Sequence, residues 1–61
     1  MTDSERIEAL LDLVDETRSP NRELSEQLAV FGYAERLGKG RFRPTTAGWN
    51  FLGPRGRAFE K

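Results

Sequence analysis

Five cations carry the chemistry this chain offers most openly: Lys39, Arg41 and Arg43 in the run Gly38-Lys39-Gly40-Arg41-Phe42-Arg43, and Arg55 and Arg57 after Gly53-Pro54. Ammonium and guanidinium groups clustered in this way neutralise phosphates, and the arginine fork matches a phosphate's paired oxygens. Asn21, Arg22 and Ser25 form a second group on a helical stretch, and side chains of these types reach base edges in nucleic-acid grooves. Catalysis has far less to draw on. The chain has no His and no Cys, so it lacks the commonest general base, a thiol nucleophile and the soft metal ligands. Its carboxylates fall on an open helix face, and Gly38-Lys39-Gly40 is too short and wrongly placed for a phosphate-cradling loop between strand and helix. The expectation is a chain that is not an enzyme, with no catalytic residues, metal, cofactor or small-molecule substrate.

The elements that must position these residues are legible in order. Ile7, Leu10, Leu11 and Val14 recur at the spacing of one helical face and predict a helix over 4–17. Thr2 and Glu5 have the form of a capping box at its start, with Asp3 or Ser4 as alternative caps. Glu5, Glu8, Asp12 and Asp15 make its other face an acidic stripe, either a solvated surface or a docking face for a basic partner. Ser19-Pro20 predicts the start of a second helix over 20–31, with Ser19 as cap. Leu24, Leu28 and Phe31 face inward in this reading, Gly32 ends the helix, and Arg22, Ser25, Glu26 and Ala29 point outward. Glu23 and Glu26 would repel phosphate there, which argues against base reading by this helix alone.

Residues 33–37 and 41–44 predict two strands joined around Gly38-Lys39-Gly40. Alternation places Tyr33, Glu35 and Leu37 on one side, Ala34 and Arg36 on the other, with Phe42 inward, Arg41 and Arg43 outward, and Pro44 ending the ladder. Thr45 caps a last helix over 46–52, where Gly48 implies close approach to a neighbouring helix. Residues 1–53 thus read as one domain, and 54–61 as a frayed basic tail tethered by Phe59.

A chain of 61 residues holds one small domain and buries only about 60% of the surface its unfolded form exposes. The candidate core is Ile7, Leu10, Leu11, Leu13, Val14, Leu24, Leu28, Phe31, Tyr33, Leu37, Phe42, Trp49, Phe51 and Leu52. So small a core is compatible with a homodimer or a partner that adds to it. No disulfide can supplement it, no apolar run approaches the roughly 18 residues of a membrane span, and MTDSERIEA lacks the features of a secretory signal. A cytoplasmic protein without a membrane partner is expected. The net charge of zero hides a sequence dipole: residues 1–26 carry eight acids against three bases, and residues 27–61 carry seven bases against two acids.

The segments Gly32-Tyr33-Ala34-Glu35-Arg36, Gly38-Lys39-Gly40-Arg41-Phe42-Arg43 and Thr45-Thr46-Ala47-Gly48 resemble the run of bacterial winged helix-turn-helix regulators that reads G-L-hydrophobic-E-R, wing, R-Y/F, T-x-x-G. The likeness covers the C-terminal half. It implies an α+β winged-helix-like domain in the order helix, helix, β-hairpin wing, helix. It also implies that residues 20–31 occupy the recognition-helix position, that Lys39, Arg41 and Arg43 form the wing, and that duplex DNA is bound, in many members by a homodimer. The family module carries three helices ahead of its wing, whereas this sequence shows two.

Two functions follow as expectations. The first is a DNA-binding module, a transcriptional or phage-type regulator, using the second helix and the basic wing and tail. Contact with three to five phosphates would give log K against log salt a slope of roughly −3 to −4.5. The second is a protein-interaction module using the acidic first helix or the second helix, favoured by the acidity of the N-terminal half.

Overall fold

The computed structural model describes residues 2–59 and shows an α+β domain of three α-helices and a two-stranded antiparallel hairpin. The elements run α1 (Asp3–Val14), α2 (Arg22–Phe31), β1 (Ala34–Gly38), β2 (Arg41–Pro44) and α3 (Thr46–Leu52), followed by a 3-10 helix over Gly53–Phe59. This is the helix, helix, hairpin, helix order read from the sequence. The first helix is central and packs against α2, β2, α3 and the 3-10 helix. That setting explains why three successive residues, Ala9, Leu10 and Leu11, are all buried, joined in the core by Leu28, Ala34 and Leu52.

The caps decide where the helices begin and end. Thr2 accepts the Glu5 N–H while Glu5 accepts the Thr2 N–H at 2.9 Å, so the capping box forms as expected. The helix stops three residues short of the expected end because the Asp15 carboxylate accepts from the Thr17 N–H at 2.9 Å and hydroxyl at 2.6 Å. A local turn thus replaces the next helical bond. In α2 the cap is Asn21, whose Oδ1 accepts the Leu24 N–H at 3.1 Å, and not Ser19. Pro20 therefore precedes the helix. Gly32 ends α2 at φ 84°, a left-handed position that suits glycine.

The hairpin turns on Lys39 and Gly40, both at positive φ (52° and 76°), the signature of a type I′ turn. A bulge at Leu37–Gly38 shifts the register from Arg36↔Phe42 to Gly38↔Arg41. Ala34 and Pro44 pair at the buried base of the ladder, and Phe42 is half-buried as predicted. Glu35 and Arg43 oppose each other on the outer face and form an ion pair.

The hairpin is fastened to α3 at its base. Thr45 caps α3 by accepting the Gly48 N–H, and its own N–H and hydroxyl donate to the carbonyls of Tyr33 at 3.0 Å and Gly32 at 2.6 Å. A Cβ on Gly48 would lie 2.1 Å from the Tyr33 carbonyl oxygen. The close approach expected at Gly48 is real, but its partner is the backbone entering the hairpin and not another helix. Tyr33 also packs on Phe51, with ring centroids 5.0 Å apart.

Three further expectations are corrected. Phe31 and Leu37, counted as core, are about half exposed, and the guanidinium of Arg6 lies 4.9 Å over the Phe31 ring. The expected frayed arm after residue 53 is a 3-10 helix with Gly56 buried. Phe59 packs against the core as the tether that was predicted, while residues 60 and 61 of that arm lie outside the described residues. No helix among the described residues is long and apolar enough to cross a membrane.

Candidate nucleic-acid interface

The sequence-predicted cations separate into two groups once their partners are seen. Arg43 is paired with Glu35, and Arg55 reaches Glu8 in α1 at 3.6 Å. Arg55 is thus held against the acidic stripe. Arg57 lies beside Trp49, Asn50 and Gly53 in a shallow depression on the α3 side. Lys39, Arg41 and Arg57 form no ion pair among the described residues, and of these Lys39 and Arg41 sit together at the exposed end of the hairpin.

The residues expected to read bases from α2 are largely committed elsewhere. Asn21 spends its side-chain oxygen on the cap, and Ser25, expected to point outward, is only 2% exposed. The cause is packing on both flanks: α2 meets α1 on one side and β1 on the other, so its buried arc is wider than the stripe of Leu24 and Leu28. The exposed surface of α2 carries Arg22, Glu23, Gln27, Val30 and Phe31, with the half-buried Glu26 at its edge, and so has no excess of positive charge. Glu26 is bridged by Arg36 at 3.3 Å and by Arg22 at 4.0 Å. Neither this strand arginine nor its position over Phe42, 5.6 Å from the ring centroid, was singled out from sequence. The β1 register that brings Arg36 to α2 is the only signal that could have found it.

Arg22 keeps most of its reach, with a side chain 77% exposed. It meets Arg41 across a cleft of about 250 Å³ lined also by Leu13, Pro20, Ser25, Gly40 and Phe42. This cleft lies against the first turn of α2, where the N–H groups of Arg22 and Glu23 precede the first intrahelical bond, Ser25 N–H to Asn21 carbonyl at 2.9 Å. The start of α2, Arg22, Arg41 and the adjoining Lys39 bring positive groups together, with Glu23 the acid of the same helical turn.

The acidic stripe of α1 is matched within the chain. Arg18 folds back over it, lying 3.3 Å from Asp12, 3.5 Å from Glu8 and 3.7 Å from Asp15. The hydrogen bond to Asp12 raises the Arg18 pKa above its already high ordinary value. A comparison of the chain with protein-family models, curated proteins and solved structures finds no match.

Proposed function

We propose that this chain is a winged-helix-like DNA-binding module that meets duplex DNA with the turn of its hairpin, acting as the wing, and the start of α2. The observation that carries this reading is that Lys39 and Arg41 form no ion pair among the described residues and adjoin Arg22, whose bridge to Glu26 is long at 4.0 Å, while Arg18, Arg36, Arg43 and Arg55 lie closer to their carboxylates. Cations already neutralised release few counterions on binding; unpaired ones release the most. The outward face of α2, with Glu23 and Glu26, is turned away from phosphates, so contact is mainly with the backbone and sequence preference is weak. In the tail Arg55 is engaged by Glu8, while Arg57, without an ion pair among the described residues, lies in the depression lined by Trp49, Asn50 and Gly53 and not in the cleft of Arg22 and Arg41.

Three phosphate contacts predict a salt slope of about −2.7, the shallow end of the range expected from the sequence. Binding to mixed-sequence duplex at several salt concentrations tests this. Lys39→Ala with Arg41→Ala should reduce the slope to about −0.9, whereas Arg55→Ala should leave it unchanged. A double variant that binds like the wild type refutes the interface.

The alternative, a protein-interaction or homodimer surface, is favoured by one observation: Val30 is 85% exposed at the end of α2, next to the half-exposed Phe31. Absence of DNA binding together with self-association lost in Val30→Lys would establish that reading instead.

A further inference from the structure

The cleft between α2 and the returning hairpin strand has the makings of a defined anion seat, beyond general attraction to clustered cations. Ser25 is among the most completely buried side chains of the protein, together with Leu10 and Leu28, and it lines the cleft. Its hydroxyl takes part in none of the side-chain hydrogen bonds of the described residues. The hydroxyl is also absent from the sealed, unpartnered polar atoms, among which the described residues show only Arg6 Nε. What little of Ser25 is open lies where it lines the cleft. A buried hydroxyl ordinarily finds a partner, and one left over in a cavity marks a place for a ligand or water to complete.

The surrounding groups specify the charge of that ligand. Arg22 from α2 and Arg41 from β2 both line the cleft. Arg36 serves Glu26 at 3.3 Å, so Arg22, 4.0 Å from the same carboxylate, is the partner more easily drawn away. The first turn of α2, a helix of 10 residues, contributes N–H donors without intrahelical acceptors. Leu13, Pro20 and Phe42 complete the lining with apolar side chains.

We propose that this cleft seats a single phosphate group, held by Ser25 Oγ, the guanidinium groups of Arg22 and Arg41, and the first N–H groups of α2. Its source in the functional complex is the nucleic-acid backbone, a point that rests on the DNA reading above. The seat itself does not depend on that reading, since a lone phosphate offers the same oxygens.

The experiment is an amide NMR titration of the whole chain with inorganic phosphate at constant ionic strength maintained with chloride, run beside a titration with duplex DNA. Saturable shifts should concentrate at residues 22–25 and 40–42, and Ser25→Ala should weaken phosphate about tenfold, the loss of one hydrogen bond to a charged group. Ser25→Ala keeps the helix, because Ala has the higher helical propensity; Arg41→Ala, at an exposed position, should weaken phosphate as well. Diffuse shifts, or shifts that Ser25→Ala leaves unchanged, overturn the seat. DNA binding without a phosphate response overturns the seat and leaves the DNA reading standing. A Ser25-dependent phosphate response without DNA binding supports the seat and overturns the DNA reading.

Discussion

Gly48→Ala isolates the contact that joins the hairpin to α3. In an exposed helix interior this substitution would stabilise by about 1 kcal/mol through propensity alone. Here the added methyl meets the Tyr33 carbonyl oxygen at 2.1 Å, with the Tyr33 carbonyl carbon at 3.1 Å and Pro44 Cβ at 3.2 Å. A backbone carbonyl fixed by the Thr45 N–H cannot swing aside as a flexible side chain would. Overpacking costs roughly 1–3 kcal/mol, and displacing α3 also weakens the two Thr45 hydrogen bonds, each contributing about 1 kcal/mol. After the propensity gain the net loss is about 2–4 kcal/mol, against a total stability of about 3–9 kcal/mol for a chain of this length. At about 4–8 °C per kcal/mol, Tm should fall by roughly 10–30 °C. Thermal unfolding followed by far-UV circular dichroism and Trp49 fluorescence measures it, with Asn50→Ala on the exposed side of α3 as a neutral or slightly stabilising control. If Gly48→Ala proves as stable as the wild type, the close approach is wrong.

Asn21→Ala should cost about 1 kcal/mol in urea unfolding by removing the α2 cap, while Asn21→Asp stays near wild type and Ser19→Ala changes little. Lys39→Gly removes a side chain from a left-handed conformation and should hold or raise stability by up to about 1 kcal/mol and, under the proposed function, weaken DNA binding; a clear loss of stability would contradict the type I′ turn. On the acid side, the Thr2 N–H and hydroxyl hold the Glu5 pKa below its ordinary 4.5, and the Thr17 hydroxyl and N–H hold Asp15 below 3.8. Both folded-state values are depressed, so these carboxylates contribute stability that is complete above their ordinary values and lost as pH falls through the lower folded ones. Denaturation midpoints measured from pH 7 downward should therefore drop on the acid side, and Thr2→Ala or Thr17→Ala should flatten that drop.

The local signals were the legible ones. Thr2 with Glu5, Gly32, Thr45 and the Gly38-Lys39-Gly40 turn act within a few residues of themselves, and each performs in the structure the role its type suggests. The α2 start was misread because two cap signals compete within three residues, and Asn21 succeeds where Ser19 does not. Ser25 was misplaced for a different reason: helical periodicity locates the centre of an apolar stripe but says nothing of how far neighbours wrap around it. The candidate interface suffered most, because its character depends on which cations find carboxylates far along the chain. Glu8 lies at one end of the sequence and Arg55 at the other, and only folding shows that they meet. Charge counting alone made Arg43 and Arg55 equivalent to Lys39 and Arg41, and pairing separates them.

The fastening at residues 32, 33, 45 and 48 has a mechanical consequence. Both chain segments leaving the hairpin are clamped to the same end of α3, whose other residues run into the core through Leu52. A hairpin held at only one root would swing like a flap; one held at both behaves as a short cantilever. Its strands also rest on α1 and α2, so the tip inherits its direction from the placement of all three helices. Small changes in the core shared by Leu10, Leu28, Ala34 and Leu52 would re-aim Lys39 without altering a residue of the turn, so the interior of this domain sets the angle at which the hairpin turn presents itself.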